Sequence, residues 1–233
     1  MKAYHSVVKE RTPQIDILRG VAIIFMSYFH LLFDLKEFYG YNINYKNFSI
    51  GWTGSISALL FILLAGYSSS LSKNNLRRAA KILFFAMLIS IVTFFLFEKD
   101  FIRFGILHLL GASIITAPIL KRFPISVLFP LSFAFISAGL IVKNYTLSHS
   151  AFFAFGLVSS DFSSLDYYPL LPYYGVYVIG FVLSNVLPPS KLKPLNKRNY
   201  LEPLEFLGRH SLAIYLLHQP VLLALLYLLH LPG

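Results

Sequence analysis

An all-α fold, a bundle of about seven helices that each cross a lipid bilayer, is predicted by two properties of the sequence. Hydrophobic residues make up 57% of the 233 residues and charged residues only 13%, whereas soluble domains average roughly 45–50% and about 25%. The apolar residues also form blocks close to the about 20 residues that a membrane helix needs. A mean hydropathy of +0.67 agrees. We therefore expect one multi-pass transmembrane domain over residues 1–233.

Composition also excludes several classes of protein. The chain has no cysteine, which rules out disulfides, thiolate metal sites and a cysteine nucleophile. Its net charge is +10, from 20 basic and 10 acidic residues. The basic residues lie in short loops between apolar blocks, as the positive-inside rule predicts for a membrane protein. We expect the lipid bilayer, and not nucleic acid, as the partner of these charges.

The first predicted span runs from about residue 14 to 35. Pro13 suits an early helical position, where its missing N–H costs nothing. Three basic residues precede the block, as in a signal peptide, but no small-residue cleavage site follows it. The block also ends in polar residues, His30 and Asp34. It is therefore predicted to be a retained membrane helix.

Six further blocks are predicted as spans. They cover about residues 51–71, a third block ending near residue 97, and then about 102–120, 124–142, 169–187 and 206–229. The segment Ala151–Tyr168 is ambiguous, because its apolar run is too short to span and its second half is polar.

The charges of the loops indicate whether this segment crosses the membrane. With the N-terminus in the cytoplasm, the basic loops around residues 77–78 and 121–122 lie inside. The basic loop at 191–198 also lies inside only if residues 151–168 do not cross. Seven spans are therefore predicted, with that segment on the outer side or re-entrant. Eight spans is the alternative.

Four ionisable residues lie in or at the edge of the first span: Asp16, Arg19, His30 and Asp34. At 100° per residue they share one stripe, with Arg19 and His30 roughly 16 Å apart along the axis. Ionisable groups in a membrane cost on the order of 2.5–3.5 kcal/mol each, so they normally face protein or a water-filled cavity. Asp16 is expected to pair with Arg19, and Asp34 to orient His30 as a general base. The alternatives are an interfacial anchor and a hydrogen-bonded core histidine.

The run Ile15–Ile24, followed by His30, resembles the first helix of the transmembrane acyltransferases, in which ten residues separate an arginine from a histidine. Within that superfamily the chain most resembles the prokaryotic relatives of heparan-α-glucosaminide N-acetyltransferase. Further stretches that carry the resemblance, across most of the chain, are FGILH at 104–108, DYYPLLP at 166–172, LGRHSL at 207–212 and YLLHQP at 215–220.

This resemblance implies transfer of an acetyl or other acyl group from cytoplasmic acyl-CoA, as co-substrate, to an acceptor at the outer side of the membrane. The acceptor group is a hydroxyl or an amine, with a sugar as the expected carrier. His30 and Arg19 match the family's positions in the first helix. The lysosomal enzyme has a further functional histidine in the following loop, but residues 36–49 here contain none. Direct attack with His30 as base is therefore expected.

Other residues are candidates for contacts with the two substrates, with simpler explanations left open. Basic loop residues can equally be topology signals, His108 a packing histidine, and Asp166 a solvated acid. No metal is expected, since His30 and Asp34 lack a third ligand. The candidates for the acyl-CoA are Arg19, Arg77, Arg78, Lys81, Arg209 and His108, and those for the acceptor are Asp166, His218 and Tyr215.

Two rival functions also fit buried ionisable groups. A proton-coupled permease would need them, but the sequence shows no internal repeat and few spans. A non-catalytic membrane subunit is the other rival. The plasma membrane is the expected location, and the oligomeric state, a homo-oligomer included, is left open.

Overall fold

The computed structural model describes residues 12–43, 48–192 and 201–229. These residues form helices and two short 3₁₀ turns, and within them the only strand-like pairings are two isolated bridges. The all-α prediction is confirmed. The N-terminal basic residues and most of the predicted basic loop at 191–198 lie outside the described residues. The helices are α1 (Pro13–Glu37), α2 (Phe48–Leu71), α3 (Asn75–Leu96), α4 (Ile106–Ile115), α5 (Ala117–Leu120), α6 (Ile125–Val142), α7 (Leu170–Val186), α8 (Glu202–Arg209) and α9 (Ser211–Leu229).

Seven of these helices are apolar, and each overlaps one of the seven predicted spans. Among the described residues, α1, α2 from Gly51 onward, α3, α6 and α9 are long and apolar enough to cross a membrane, and α4 and α7 are shorter apolar helices. Only Thr116 separates α4 from the short α5, so the two together cover most of the fourth predicted block. The prediction of a polytopic membrane bundle is confirmed.

The last predicted block, 206–229, differs from the structure. It divides at His210, whose backbone is not helical, into α8 and α9. Gly208 is a weak helix former and lies next to the break. The charged residues Glu202, Glu205 and Arg209 make α8 amphipathic rather than apolar. The last membrane helix is therefore α9 alone.

The segment Ala151–Tyr168 contains a single 3₁₀ turn, Phe153–Phe155, and no α-helix. A backbone without regular hydrogen bonding is not tolerated against lipid, so this segment does not cross as a helix. It pairs instead with the loop after α3: the Leu165 N–H donates to the Asp100 carbonyl at 2.8 Å, and the Tyr168 N–H to the Phe104 carbonyl at 2.9 Å. The two loops therefore lie at the same end of their helices, as seven spans require.

Contacts at the other helix ends agree with this arrangement. The Lys121 ammonium donates to the Ser72 carbonyl, and the Tyr67 hydroxyl donates to the Leu187 carbonyl at 2.8 Å. The loops that follow α2, α5 and α7 therefore share one end. Within unit 2, Lys73 and Lys121 therefore lie at one end of the helices. The cytoplasmic location of this end stays a prediction.

The chain divides by its contacts into two compact units. Unit 1 comprises Met1–Ser57 and Pro189–Gly233, and unit 2 comprises Ala58–Pro188. In unit 2, α6 packs against α7 and α3 packs against α4. Its fully buried side chains include Ile62, Leu64, Leu109, Ile114, Leu128, Tyr177 and Val178.

In unit 1, α8 and α9 pack against α1. The crossing of α8 on α1 depends on two glycines: Gly20 faces the Leu204 carbonyl, and Gly208 faces the Asp16 carbonyl. A Cβ atom at either position would overlap the opposing backbone. Small residues allow such close approach between membrane helices. This contact positions α8 against the end of α1 that carries the candidate site residues Asp16 and Arg19.

Candidate active site

Asp16 and Arg19 form the predicted pair at the start of α1. Arg19 Nη1 donates to Asp16 Oδ1 at 3.0 Å, and Asp16 is only 2% exposed. The carboxylate lies in the first helical turn, where the helix dipole also favours negative charge. The Arg19 side chain is 22% exposed and is held in place by Asp16.

His30 of α1 contacts His218 of α9. Their ring centroids are 4.8 Å apart, with an angle of 62° between the ring planes. The ring of His30 also packs edge-on against Phe29. The structure therefore brings the predicted base together with a residue predicted to contact the acceptor.

Asp34 is fully buried, but its partner is not the predicted one. Asp34 Oδ1 accepts a hydrogen bond of 2.7 Å from Gln219 Nε2, and the structure has no hydrogen bond between Asp34 and His30. The ring of His30 faces His218 instead, while Gln219, the next residue of α9, contacts the carboxylate. The predicted orientation of His30 by Asp34 is thus absent from the structure. Gln219 was not among the predicted site residues, although it follows His218 in the motif at 215–220.

His218 is held by the backbone of its own helix. Its Nδ1 lies 2.6 Å from the Tyr215 carbonyl oxygen. Because a carbonyl can only accept, Nδ1 carries the hydrogen, and Nε2 of the neutral ring carries a lone pair. Tyr215 therefore orients His218 through its carbonyl, and its ring lies 5.5 Å from that of His218.

Arg209 lies at the end of α8, directly after Gly208. It forms a long ion pair with Glu205, with 3.9 Å between Nε and Oε1, and its side chain is 40% exposed. Since Gly208 contacts the Asp16 backbone, Arg209 belongs to the same end of unit 1 as Arg19. The contact of both arginines with acyl-CoA stays a prediction.

The three basic candidates of α3 differ in their surroundings. Arg77 and Lys81 are exposed, while Arg78 is half-buried and lies near Tyr177. Arg78 Nη1 also approaches Asn75 Oδ1 at 3.5 Å. Of the three, Arg78 is the one that faces the protein interior.

His108 lies at the N-terminus of α4, with both ring nitrogens occupied. Its Nδ1 accepts from the Gly105 N–H at 3.2 Å, and its Nε2 lies 3.2 Å from Ser90 Oγ. Because Ser90 donates its own hydrogen to the Ile102 carbonyl, Nε2 is the donor to Ser90. The packing role considered from the sequence therefore accounts for His108. Ser90 and Arg78 are about 18 Å apart along α3, so His108 and Arg78 do not share a site.

Asp166 binds the same helix end. Its Oδ2 accepts from the Ile106 N–H at 3.0 Å, which caps α4. Burial raises the pKa of Tyr168, and the charge of Asp166 adds to this effect. Asp166 thus caps a helix, which differs from the solvated acid considered as the simpler explanation. Its contact with an acceptor stays a prediction.

Within residues 12–43, 48–192 and 201–229, no group of three or more histidine and carboxylate side chains is arranged to bind a metal ion. In unit 1, the candidates on α1 form two groups. Asp16 pairs with Arg19, and His30 and Asp34 form a cluster with His218 and Gln219 of α9.

The helices and this buried cluster define a multi-pass integral membrane protein with a polar site inside a helical unit. The chain belongs to the family of the heparan-alpha-glucosaminide N-acetyltransferase catalytic domain, whose family model matches residues 11–220. The resemblance stated from the motifs is confirmed, and the protein is a member of a membrane acetyltransferase family. The match includes all the candidate site residues. Neither a curated protein nor a solved structure matches the chain.

Proposed function

We propose that the protein transfers an acetyl or other acyl group from cytoplasmic acyl-CoA to a hydroxyl or amine of a sugar-like acceptor at the outer face of the plasma membrane. The observation that carries the proposal is the contact of His30 with His218, 4.8 Å between ring centroids, in a chain of an acetyltransferase family. Buried ionisable groups in a membrane helix are costly and are usually functional.

In the proposed reaction, His30 takes the proton of the acceptor group while its oxygen or nitrogen attacks the thioester carbon. The carbon–sulfur bond then breaks, and CoA leaves as a thiol after receiving that proton from His30. No acyl-enzyme is needed. His218, held by Tyr215, and Asp34, held by Gln219, complete the surroundings of His30.

The acyl-CoA is proposed to contact basic residues at the cytoplasmic ends of the helices. Arg19, held by Asp16, is assigned to a phosphate or to the thioester oxygen, because guanidinium groups form strong charge-assisted hydrogen bonds. Arg209 lies at the same end of unit 1. In unit 2, Arg78, Arg77 and Lys81 of α3 are proposed as further contacts for acyl-CoA.

Replacing His30 tests the chemistry. His30→Ala is expected to abolish acyl transfer by purified protein in detergent, because the proton acceptor is lost, while expression in the membrane stays normal. His149→Ala, at an exposed histidine, is the matched control and should retain full turnover. Turnover by His30→Ala at the wild-type rate would contradict the assignment.

Binding of acetyl-CoA tests the donor and separates this function from its rivals. Titration of the purified protein is expected to show saturable binding that weakens at least tenfold in Arg19→Ala, as expected for loss of a charge-assisted contact. Lys36→Ala, a basic residue at the other end of α1, is the control. A wild-type protein without acetyl-CoA binding would favour a permease or a non-catalytic subunit.

A further inference from the structure

Three polar atoms in unit 1 are buried and lack a hydrogen-bond partner among the described residues: Asp34 Oδ2, His218 Nε2 and Gln219 Oε1. They belong to one cluster, because Gln219 is bonded to the other oxygen of Asp34 at 2.7 Å and directly follows His218. Asp34 has no exposed surface at all. Buried polar groups in folded proteins are almost always paired, so three together require an explanation.

All three atoms are hydrogen-bond acceptors. Nδ1 of His218 donates to the Tyr215 carbonyl, which leaves the lone pair on Nε2. A carboxylate has no hydrogen to give, so Gln219 presents its NH₂ group to Asp34 and its carbonyl oxygen stays free. Asp34 Oδ2 is the second oxygen of that carboxylate. Each of the three unpaired atoms of the cluster therefore needs a hydrogen-bond donor.

A ligand that completes this cluster must bring several O–H or N–H groups. Among the described residues no basic side chain forms an ion pair with Asp34, and none of them donates a hydrogen bond to the three acceptor atoms. The cluster also adjoins the proposed base: Asp34 is one helical turn, about 6 Å, from His30 along α1, and His218 contacts the ring of His30.

We propose that Asp34, His218 and Gln219 form the binding site for the acceptor, and that this site takes a molecule with hydroxyl or amino groups on neighbouring carbons. This rests on the proposed function and deepens it by placing the acceptor beside His30. Gln219 acts as a specificity-determining residue, since it binds the ligand through its carbonyl and holds Asp34 through its amide. Asp166, which caps α4, is not part of the proposed cluster.

The test uses the full chain purified in detergent, with D-glucose, D-glucosamine and glycerol as probes. Release of CoA from acetyl-CoA is followed with a thiol reagent at increasing probe concentration. Gln219→Met is expected to raise the KM for an accepted probe at least tenfold, with an unchanged Kd for acetyl-CoA. Leu217→Met, at an exposed position of the same helix, is the matched control. Gln219→Asn, which keeps the amide, should show a smaller increase.

Each outcome bears on a different statement. If acetyl-CoA binds and a probe is acylated, an unchanged KM in Gln219→Met overturns the assignment of the cluster. Binding of acetyl-CoA without acylation of any probe overturns the stated class of ligand. Failure of the wild type to bind acetyl-CoA overturns the proposed function itself. If Gln219→Met does not fold, the comparison of Gln219→Asn with the wild type decides, an unchanged KM again overturning the assignment.

Discussion

Two side chains satisfy the backbone at the N-terminus of α4. Asp166 accepts from the Ile106 N–H and His108 from the Gly105 N–H. The first N–H groups of any helix lack partners within the helix, and near a membrane they cannot all rely on water. The capping of α4 therefore explains the positions of Asp166 and His108 without a ligand.

Asp166→Ala is therefore expected to act on stability rather than on binding. Loss of a cap costs about 1 kcal/mol, which corresponds to a decrease of about 2–4 °C in the melting temperature of a chain of this size. Thermal unfolding in detergent measures this, and the Kd for acetyl-CoA should not change. Asp161→Ala, at an exposed acid of the same segment, is the control. A loss of turnover without a loss of stability would instead support an acceptor contact at Asp166.

Residue contacts could be predicted where the partners are close in sequence. Asp16 and Arg19 are three positions apart on one helix, and they pair as spacing indicates. Asp34 and Gln219 are 185 positions apart, and helix periodicity carries no information about such a contact. Whether Asp34 forms its hydrogen bond with His30 or with Gln219 depends on how α9 packs against α1.

At the level of elements, the crossing of α8 on α1 leaves no space for a larger side chain at its glycines. Gly208→Ala would place a Cβ atom against the Asp16 carbonyl, and overpacking of this kind costs about 1–3 kcal/mol. We expect a lower melting temperature together with weaker binding of acetyl-CoA, because Asp16 positions Arg19. Phe206→Ala, on the exposed face of α8, controls for the loss of helix surface. Equal stability of Gly208→Ala and the wild type would contradict the close approach.

Helix positions were predicted well because each apolar block must be long enough for a bilayer. The blocks at 51–71, 124–142 and 169–187 correspond to helices within a few residues. The break at His210 was missed because the motif around it continues without proline, and apolar composition alone does not report a helix interruption. Amphipathic α8 was therefore merged with α9.

At the scale of the whole molecule, the contacts between loops favour seven crossings. Reporter fusions after Lys143 and after Lys193 are expected to report opposite sides of the membrane, because the chain between them crosses once through α7. A fusion after Arg122 should report the same side as the one after Lys193. Reporters on the same side after Lys143 and Lys193 would instead indicate eight spans.

The fold class followed from composition, but the division into two contact units did not. Unit 1 combines the first and the last helices of the chain, and nothing in the local sequence indicates that pairing. A single domain over residues 1–233 stays a prediction, as does the cytoplasmic N-terminus. Both depend on long-range contacts or on a membrane orientation that hydropathy does not define.

The contact between α1 and α9 has a consequence for biosynthesis. Asp34 is made well before Gln219, which lies 185 positions later in the chain. Until α9 is integrated, Asp34 lacks the amide that it contacts in the finished protein. A nascent chain can therefore carry α1 in the membrane long before the cluster is complete, and activity should begin only once α9 has packed against α1.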